Sequence, residues 1–177
     1  AYLLKVEPGT AFYRNPPAGL PDGDAAADFY LYAVQQLEAA GYRQYEISNF
    51  ARPGHEGRHN LLYWNCSDYW GVGPAAHSCV GNVRRFWPDD VQGFIAGTVA
   101  EQREGDCTSE DYLLMQLRLV SGLNIPAYEC RGGRFTAAQR AFMRQCVGHG
   151  YAVWDGEVFR LTPAGMVVQN AILEELM

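Results

Sequence analysis

Apolar residues crowd the first positions, Ala1-Tyr2-Leu3-Leu4-Lys5-Val6, with the aromatic and aliphatic content of a β-strand. Glu7-Pro8-Gly9-Thr10 is turn chemistry, and Asn15 to Gly23 is a loop rich in proline and glycine. Phe29, Ala33, Leu37 and Ala40 then recur at helical spacing, which predicts a helix capped by Asp24 and ended by Gly41. Gln44 to Ser48 reads as a second strand. A helical crossover of this length fits two parallel strands in an α/β layer or barrel. Ligands in such folds bind beyond the carboxyl ends of the strands, which is where Ser48 to Pro53 would leave the second one.

Arg58 to Asn65 fits a short helix, Tyr69 to Gly73 a short strand, and Ser78 to Phe86 a return strand. Pro88-Asp89-Asp90 opens a helix over Val91 to Val99. Glu101 to Cys107 is polar and reads as the best linker candidate, near the start of a second unit taken as 88–177 after a first of 1–87. Thr108 with Asp111 three residues on forms a capping box before Leu113, Leu114, Leu117 and Val120, with Gly122 as terminator. Two more helices follow, Ala127 to Gly132 and Thr136 to Gly148, the latter with Phe142, Met143 and Val147 inward. Tyr151 to Leu161 is a hairpin over Asp155-Gly156, and Thr162-Pro163 caps a closing helix. Helices, hairpin and helix make a winged-helix-like module.

Composition narrows the class. The chain has 177 residues, 48% hydrophobic and 19% charged, the balance of a soluble globular protein of one domain or two small ones. No apolar run approaches the roughly 20 residues of a membrane span, and no basic segment with an apolar run marks a signal peptide, so cytoplasm is the expected compartment. A net charge of −6 argues against nucleic acid as a general partner. Beyond Thr108 there are six basic against seven acidic side chains, although Arg131, Arg134, Arg140 and Arg144 leave a local basic patch to consider. The cysteines, Cys66, Cys79, Cys107, Cys130 and Cys146, form no Cys-x-x-Cys pair and read as dispersed free thiols. A strand opening at Ala1 with no initiator Met predicts a piece of a longer protein, with an exposed sheet edge at Tyr2 to Val6 as a place for self-association.

Candidate chemistry concentrates between Tyr45 and Val80, which holds three of the four histidines, two of the four tryptophans and two of the five cysteines. His55-Glu56-Gly57-Arg58-His59 has the zinc-peptidase spacing, but Arg52-Pro53-Gly54 before it and Gly57 within it oppose a regular helix. Gly71-Val72-Gly73-Pro74-Ala75-Ala76 is a loose dinucleotide-type glycine pattern without a clear βαβ unit. His59-Asn60-Leu61-Leu62-Tyr63-Trp64 is more informative. On a helical turn His59 and Tyr63 share a face, with Asn60 and Trp64 beside them. Imidazole is an axial ligand for haem iron and aromatic rings offer surface to a macrocycle, while Arg52 and Arg58 suit propionates and Cys66 suits a second soft ligand. The same residues also suit a capped loop and a filled core.

A wider set of motifs runs in one order. Leu3 to Thr10, Leu20-Pro21-Asp22, Gly41-Tyr42, Tyr45 to Gly54, His59 to Trp64, Gly71 to Ser78, Gly122-Leu123, Leu161 to Gly165 and Asn170 together resemble the oxygen-independent coproporphyrinogen III oxidase-like radical SAM proteins, specifically the HemW-type haem chaperones. The resemblance implies an α/β fold: the closing strands of a partial TIM-like radical SAM barrel, then a mainly helical, winged-helix-like C-terminal domain. It implies haem binding through His59 as the iron ligand, with Arg58, Asn60, Tyr63 and Trp64 around it, and delivery of haem to an acceptor protein. Lys5, Gly71, Gly73 and His77 would lie near S-adenosylmethionine in a complete barrel. The alternative function is oxygen-independent coproporphyrinogen III oxidation. The family's Cys-x-x-x-Cys-x-x-Cys motif for a [4Fe-4S] cluster is absent from this sequence, so the chain by itself is expected neither to build the cluster nor to cleave S-adenosylmethionine. Ala75 stands where the family usually has glycine.

Overall fold

A computed structural model describes residues 1–177. Residues 1–6 form no strand, contrary to the sequence reading. A strand needs a neighbour for its ladder bonds, and no sheet of this chain runs beside them. The Ala1 ammonium instead donates to the Ser48 carbonyl at 2.7 Å. Helix α1, Ala11–Arg14, is one turn capped by Thr10. Helix α2, Gly23–Ala39, starts earlier than expected because the Asp22 carboxylate, not Asp24, accepts the Ala25 N–H. Its buried positions are Tyr30 and Val34, one residue on from the expected Phe29 and Ala33, and Phe29 is 61% exposed.

The parallel pair does not form. Strand β1, Arg43–Glu46, turns directly into β2, Asn49–Ala51, and the two pair antiparallel. The reversal is held from inside: Tyr30 Oη donates to the Ile47 carbonyl at 2.9 Å, and the buried Gln44 amide donates to the same carbonyl at 3.2 Å. Helix α3 spans Arg58–Trp64, as the sequence suggested. Tyr69 makes a single bridge to Cys79 in place of a strand over Tyr69 to Gly73. The single return strand is a hairpin, β3 His77–Val80 and β4 Val83–Phe86, because Gly81 and Asn82 both take positive φ, +59° and +66°, the geometry of a tight type I′ turn. Helix α4, Val91–Ala96, is capped by Asp90 and shorter than expected.

The supposed connector is also a strand. Residues Gln102–Asp106 form β5, the third strand of the sheet β3-β4-β5. Backbone pairing satisfies the open edge of β4 without apolar side chains, and Arg84 meets Glu104 across the pair at 3.6 Å.

The rest follows the helix–hairpin order: α5 Ser109–Gln116, β6 Leu123–Asn124, α6 Ile125–Cys130, α7 Ala137–Gly148, β7 Ala152–Trp154, β8 Val158–Leu161, α8 Pro163–Val167 and α9 Gln169–Leu176. The second sheet has the order β6-β8-β7, and α5 and α7 both begin with capping boxes. Three helices and a small antiparallel sheet of this order make the winged-helix arrangement. The hairpin turns on Gly156-Glu157, one residue later than expected, with the Asp155 N–H donating to the Val158 carbonyl at 3.3 Å. The closing helix breaks at Val168. Leu113, Leu117, Leu123, Met143 and Phe159 are fully buried, each contributing about 1.5–3 kcal/mol. Of the expected inward set on α7, Phe142 is half-buried and Val147 is exposed.

This core reaches back to Tyr30 and Val34 on α2. The turn after α5 joins β1 as well: Ile47 N–H donates to Arg118 O at 2.8 Å and Val120 N–H to Tyr45 O at 3.1 Å. No helix is long and apolar enough to cross a membrane. The arginines of the suggested basic patch are largely engaged at home. Arg131 lies 4.5 Å over the Tyr112 ring, Arg134 donates to the Glu129 and Gly133 carbonyls, and Arg140 pairs with Glu129 at 2.8 Å.

Candidate functional site

Helix α3 can start where it does because Gly57 lets the chain press against Tyr45. The Gly57 N–H donates to Tyr45 Oη at 3.2 Å, and a Cβ on Gly57 would stand 2.8 Å from that oxygen. His55 and Glu56 lie in the turn before the helix, so His55 and His59 do not share a helical face and the zinc-peptidase spacing has no structural counterpart. No three histidine, cysteine, aspartate or glutamate side chains converge where a metal ion would sit.

The two sides of α3 do different things. Trp64 faces inward: its ring lies 4.6 Å beneath the Arg118 guanidinium, and its indole Nε1 is buried without a partner. The Trp64 carbonyl, one of the last-turn acceptors a helix leaves open, takes a 2.7 Å hydrogen bond from the buried Gln116 amide of α5, which also reaches Asn65 Oδ1 at 3.2 Å. On the outer side, His59 is exposed, and Tyr63 Oη lies 3.2 Å from His59 Nε2. The rings meet edge to face at 4.9 Å, and Tyr63 meets Tyr69 the same way at 4.5 Å. Arg58 is exposed in the first turn and Asn60 is half-buried. The structure therefore brings His59 and Tyr63 together and turns Trp64 away from them. Arg52 lies over the Tyr42 ring at 5.4 Å.

Gly71 and His77 are neighbours through the backbone. A Cβ on Gly71 would come within 2.1 Å of the His77 carbonyl oxygen, so glycine is required there by close approach rather than by a phosphate loop. The Gly71 N–H donates to Ser78 Oγ at 3.1 Å, and Ser78 donates on to Glu101. Gly73 takes φ +114°, and Ala75 takes φ +59°, a left-handed conformation that L side chains resist. His77 is exposed, stacked on Phe86 and 3.3 Å from Glu104. Lys5 pairs with Glu7 at the surface and joins none of these contacts.

The cysteines are less dispersed than their spacing suggested. Cys79 and Cys107 have their sulfurs 3.3 Å apart, in a small cavity also lined by Cys66, Tyr63, Tyr69, Arg84, Asp111 and Met115. Burial, then the hydrogen bond with Cys79, pushes the Cys107 thiol up to about 12, and burial raises Cys66 and Tyr69 too. Burial would raise Asp111 as well, but bonds from the Thr108 N–H and hydroxyl and the Arg84 guanidinium at 2.9 Å outweigh it and hold the carboxyl low.

No protein-family model matches the chain. A heme chaperone HemW of Mycobacterium tuberculosis is 34% identical over 189 residues, covering 100% of this chain and 46% of the relative. That of Escherichia coli is 33% identical over 181 residues, covering 98% and 48%. The chain belongs to the HemW family. It spans about half the length of the curated relatives it matches. The bovine mitochondrial radical S-adenosyl methionine domain-containing protein 1 is 37% identical over 116 residues, 64% of the chain and 25% of that protein. Among solved structures, the coproporphyrinogen III oxidase of Escherichia coli, a radical SAM enzyme, superposes with a TM-score of 0.63 at 19% identity, over 90% of this chain and 42% of that one. That likeness establishes the fold: an α/β assembly of small sheets and helices with no closed barrel. For this HemW-family chain, Gln116 and Arg118 were invisible to motif reading. They act on α3 from more than fifty residues away, and nothing local marks them.

Proposed function

We propose that the chain is the haem-binding part of a haem chaperone, with His59 as the iron ligand, and that the whole protein passes haem to an acceptor protein. The observation that carries this reading is the exposed His59 imidazole on the outer face of a helix anchored from behind by Gln116 and Arg118. The donor set fits haem: an accessible imidazole nitrogen, the Tyr63 ring beside it and the Arg58 cation one residue before it. Trp64, turned inward, supports the helix rather than touching haem, and Asn60 belongs to the same turn. In this reading residues 1–87 contribute part of a radical SAM unit and 88–177 the C-terminal domain. Lys5, Gly71, Gly73 and His77 fall to the S-adenosylmethionine side of the whole protein. The [4Fe-4S] cluster does not fit this chain: Cys66, Cys79 and Cys107 line one small cavity, but no three ligand-type side chains are placed to hold a metal ion.

The test is haem titration of the full-length protein and its His59→Ala variant, followed by the Soret band. Loss of at least tenfold in affinity is expected; equal binding by both refutes His59 as ligand. The rival is coproporphyrinogen III oxidation, favoured only by the shared fold. Anaerobic assay of the cluster-loaded full-length protein separates the two, because protoporphyrinogen formation supports the rival.

A further inference from the structure

We propose that Cys79 and Cys107 form a reversible redox pair, closed to a disulfide by a hydroperoxide. Their sulfurs lie 3.3 Å apart, and a disulfide requires about 2.05 Å, so closure asks for little more than an ångström of approach. The backbone already holds the two segments together. Cys107 N–H donates to the Asn82 carbonyl at 2.9 Å, and Asn82 Nδ2 returns a bond to the Cys107 carbonyl at 2.9 Å. Cys79 is 2% exposed on β3, whereas Cys107 is half-buried just past β5. The adjoining cavity has a volume of about 50 Å³, against roughly 30 Å³ for one water in the liquid, and so admits a molecule the size of hydrogen peroxide. Arg84, ion-paired with Asp111 and Glu104, lines it too.

The steps balance. The Cys107 sulfur attacks one peroxide oxygen, the O–O bond breaks, and the departing oxygen takes the Cys107 thiol proton and leaves as water, giving a sulfenic acid on Cys107. The Cys79 sulfur then attacks the Cys107 sulfur and displaces its hydroxyl as a second water. Two thiols lose two electrons and two protons, and one hydrogen peroxide becomes two waters. A dithiol reductant reverses the bond by exchange. The disulfide ties β3, which carries His77, to the chain just before the Thr108 cap of α5, across 28 residues of sequence. The inference does not depend on the haem reading.

The experiment treats the fully reduced full chain with stoichiometric hydrogen peroxide, blocks remaining thiols with N-ethylmaleimide and maps peptides by mass. Trypsin leaves Cys66 and Cys79 on one peptide, since no Lys or Arg separates Arg58 from Arg84, so fragment ions must assign the linked sulfur. A Cys79–Cys107 cross-link that dithiothreitol removes, and that persists in Cys66→Ser, is the expected result. A cross-link through Cys66, or oxidation confined to Cys130 with Cys79 and Cys107 both alkylated, overturns the proposal. Fragment-ion mapping on the wild-type chain decides the pairing by itself, and Cys66→Ser is a second reading of the same bond.

Discussion

Replacing Gln116 by leucine tests how the candidate site is held. Leucine nearly conserves the side chain's volume, so packing changes little and the loss is chiefly polar. Two hydrogen bonds disappear, at 2.7 Å to the Trp64 carbonyl and 3.2 Å to Asn65 Oδ1. Asn65 is exposed and takes water in exchange, so its share is small. The Trp64 carbonyl is different, because it ends α3 beneath the Arg118 stack and Gln116 itself is only 6% exposed. Orphaning one buried acceptor costs about 1–3 kcal/mol. A destabilisation of about 2 kcal/mol follows, or roughly 4–8 °C in Tm for a chain of this size. Urea unfolding monitored by far-UV circular dichroism measures it, and near-UV signals from Trp64 report the freed helix end. A change below about 0.5 kcal/mol would refute the claim that Gln116 anchors α3. Haem titration of the same variant separates anchoring from ligation: affinity should fall while the Soret position of the bound form stays that of wild type.

Three further predictions come from the backbone and the thiols. Ala75→Gly relieves a φ of +59° and, after allowing for the greater freedom of unfolded glycine, should raise stability by about 0.5–1 kcal/mol; a lower urea midpoint would contradict it. Gly71→Ala forces a methyl against the His77 backbone at 2.1 Å, and a loss of about 3 kcal/mol is expected by thermal melting, with a neutral result counting against the close approach. The Cys107 thiol is raised from 9.0 to about 12, chiefly by burial and then by Cys79. A raised folded value means its stabilising contribution is complete below pH 9.0 and is lost as pH climbs toward about 12. Urea midpoints should therefore decline through that window, and Cys107→Ser should flatten the decline.

Local patterns carried the C-terminal half. Capping residues Thr108 and Thr162 satisfy their own helix ends through bonds that depend on three or four neighbouring residues, so the sequence displays them directly. The caps Asn124 and Thr136, by contrast, were not read as such, and α6 starts two residues before the expected Ala127. The N-terminal half was harder, because its strands are defined by what lies beside them. Gln102 to Asp106 has the composition of a linker and becomes a strand only because β4 offers an open edge. Residues 1–6 have the composition of a strand and remain single for want of one. The α3 motif was legible as a short helix with His59 and Tyr63 on one face. Trp64 was set beside that face, and adjacency in the motif says nothing of Arg118, whose guanidinium stacks on the indole. The Cys79–Cys107 proximity depends on a hairpin and a third strand together, and no spacing rule encodes it.

The bonds between β1 and the turn after α5 bear on how the molecule comes apart. Ile47 and Val120 donate across that seam, Glu46 lies beneath it at 1% exposure, and Tyr30 and Val34 sink into the same core as Phe159. Exposing either half alone would strip the other of ladder partners and of its floor. Opening should therefore be all-or-none, with exchange of the Ile47 and Val120 amides for solvent deuterium giving one shared opening free energy, that of global unfolding. One core and one seam make one cooperative unit.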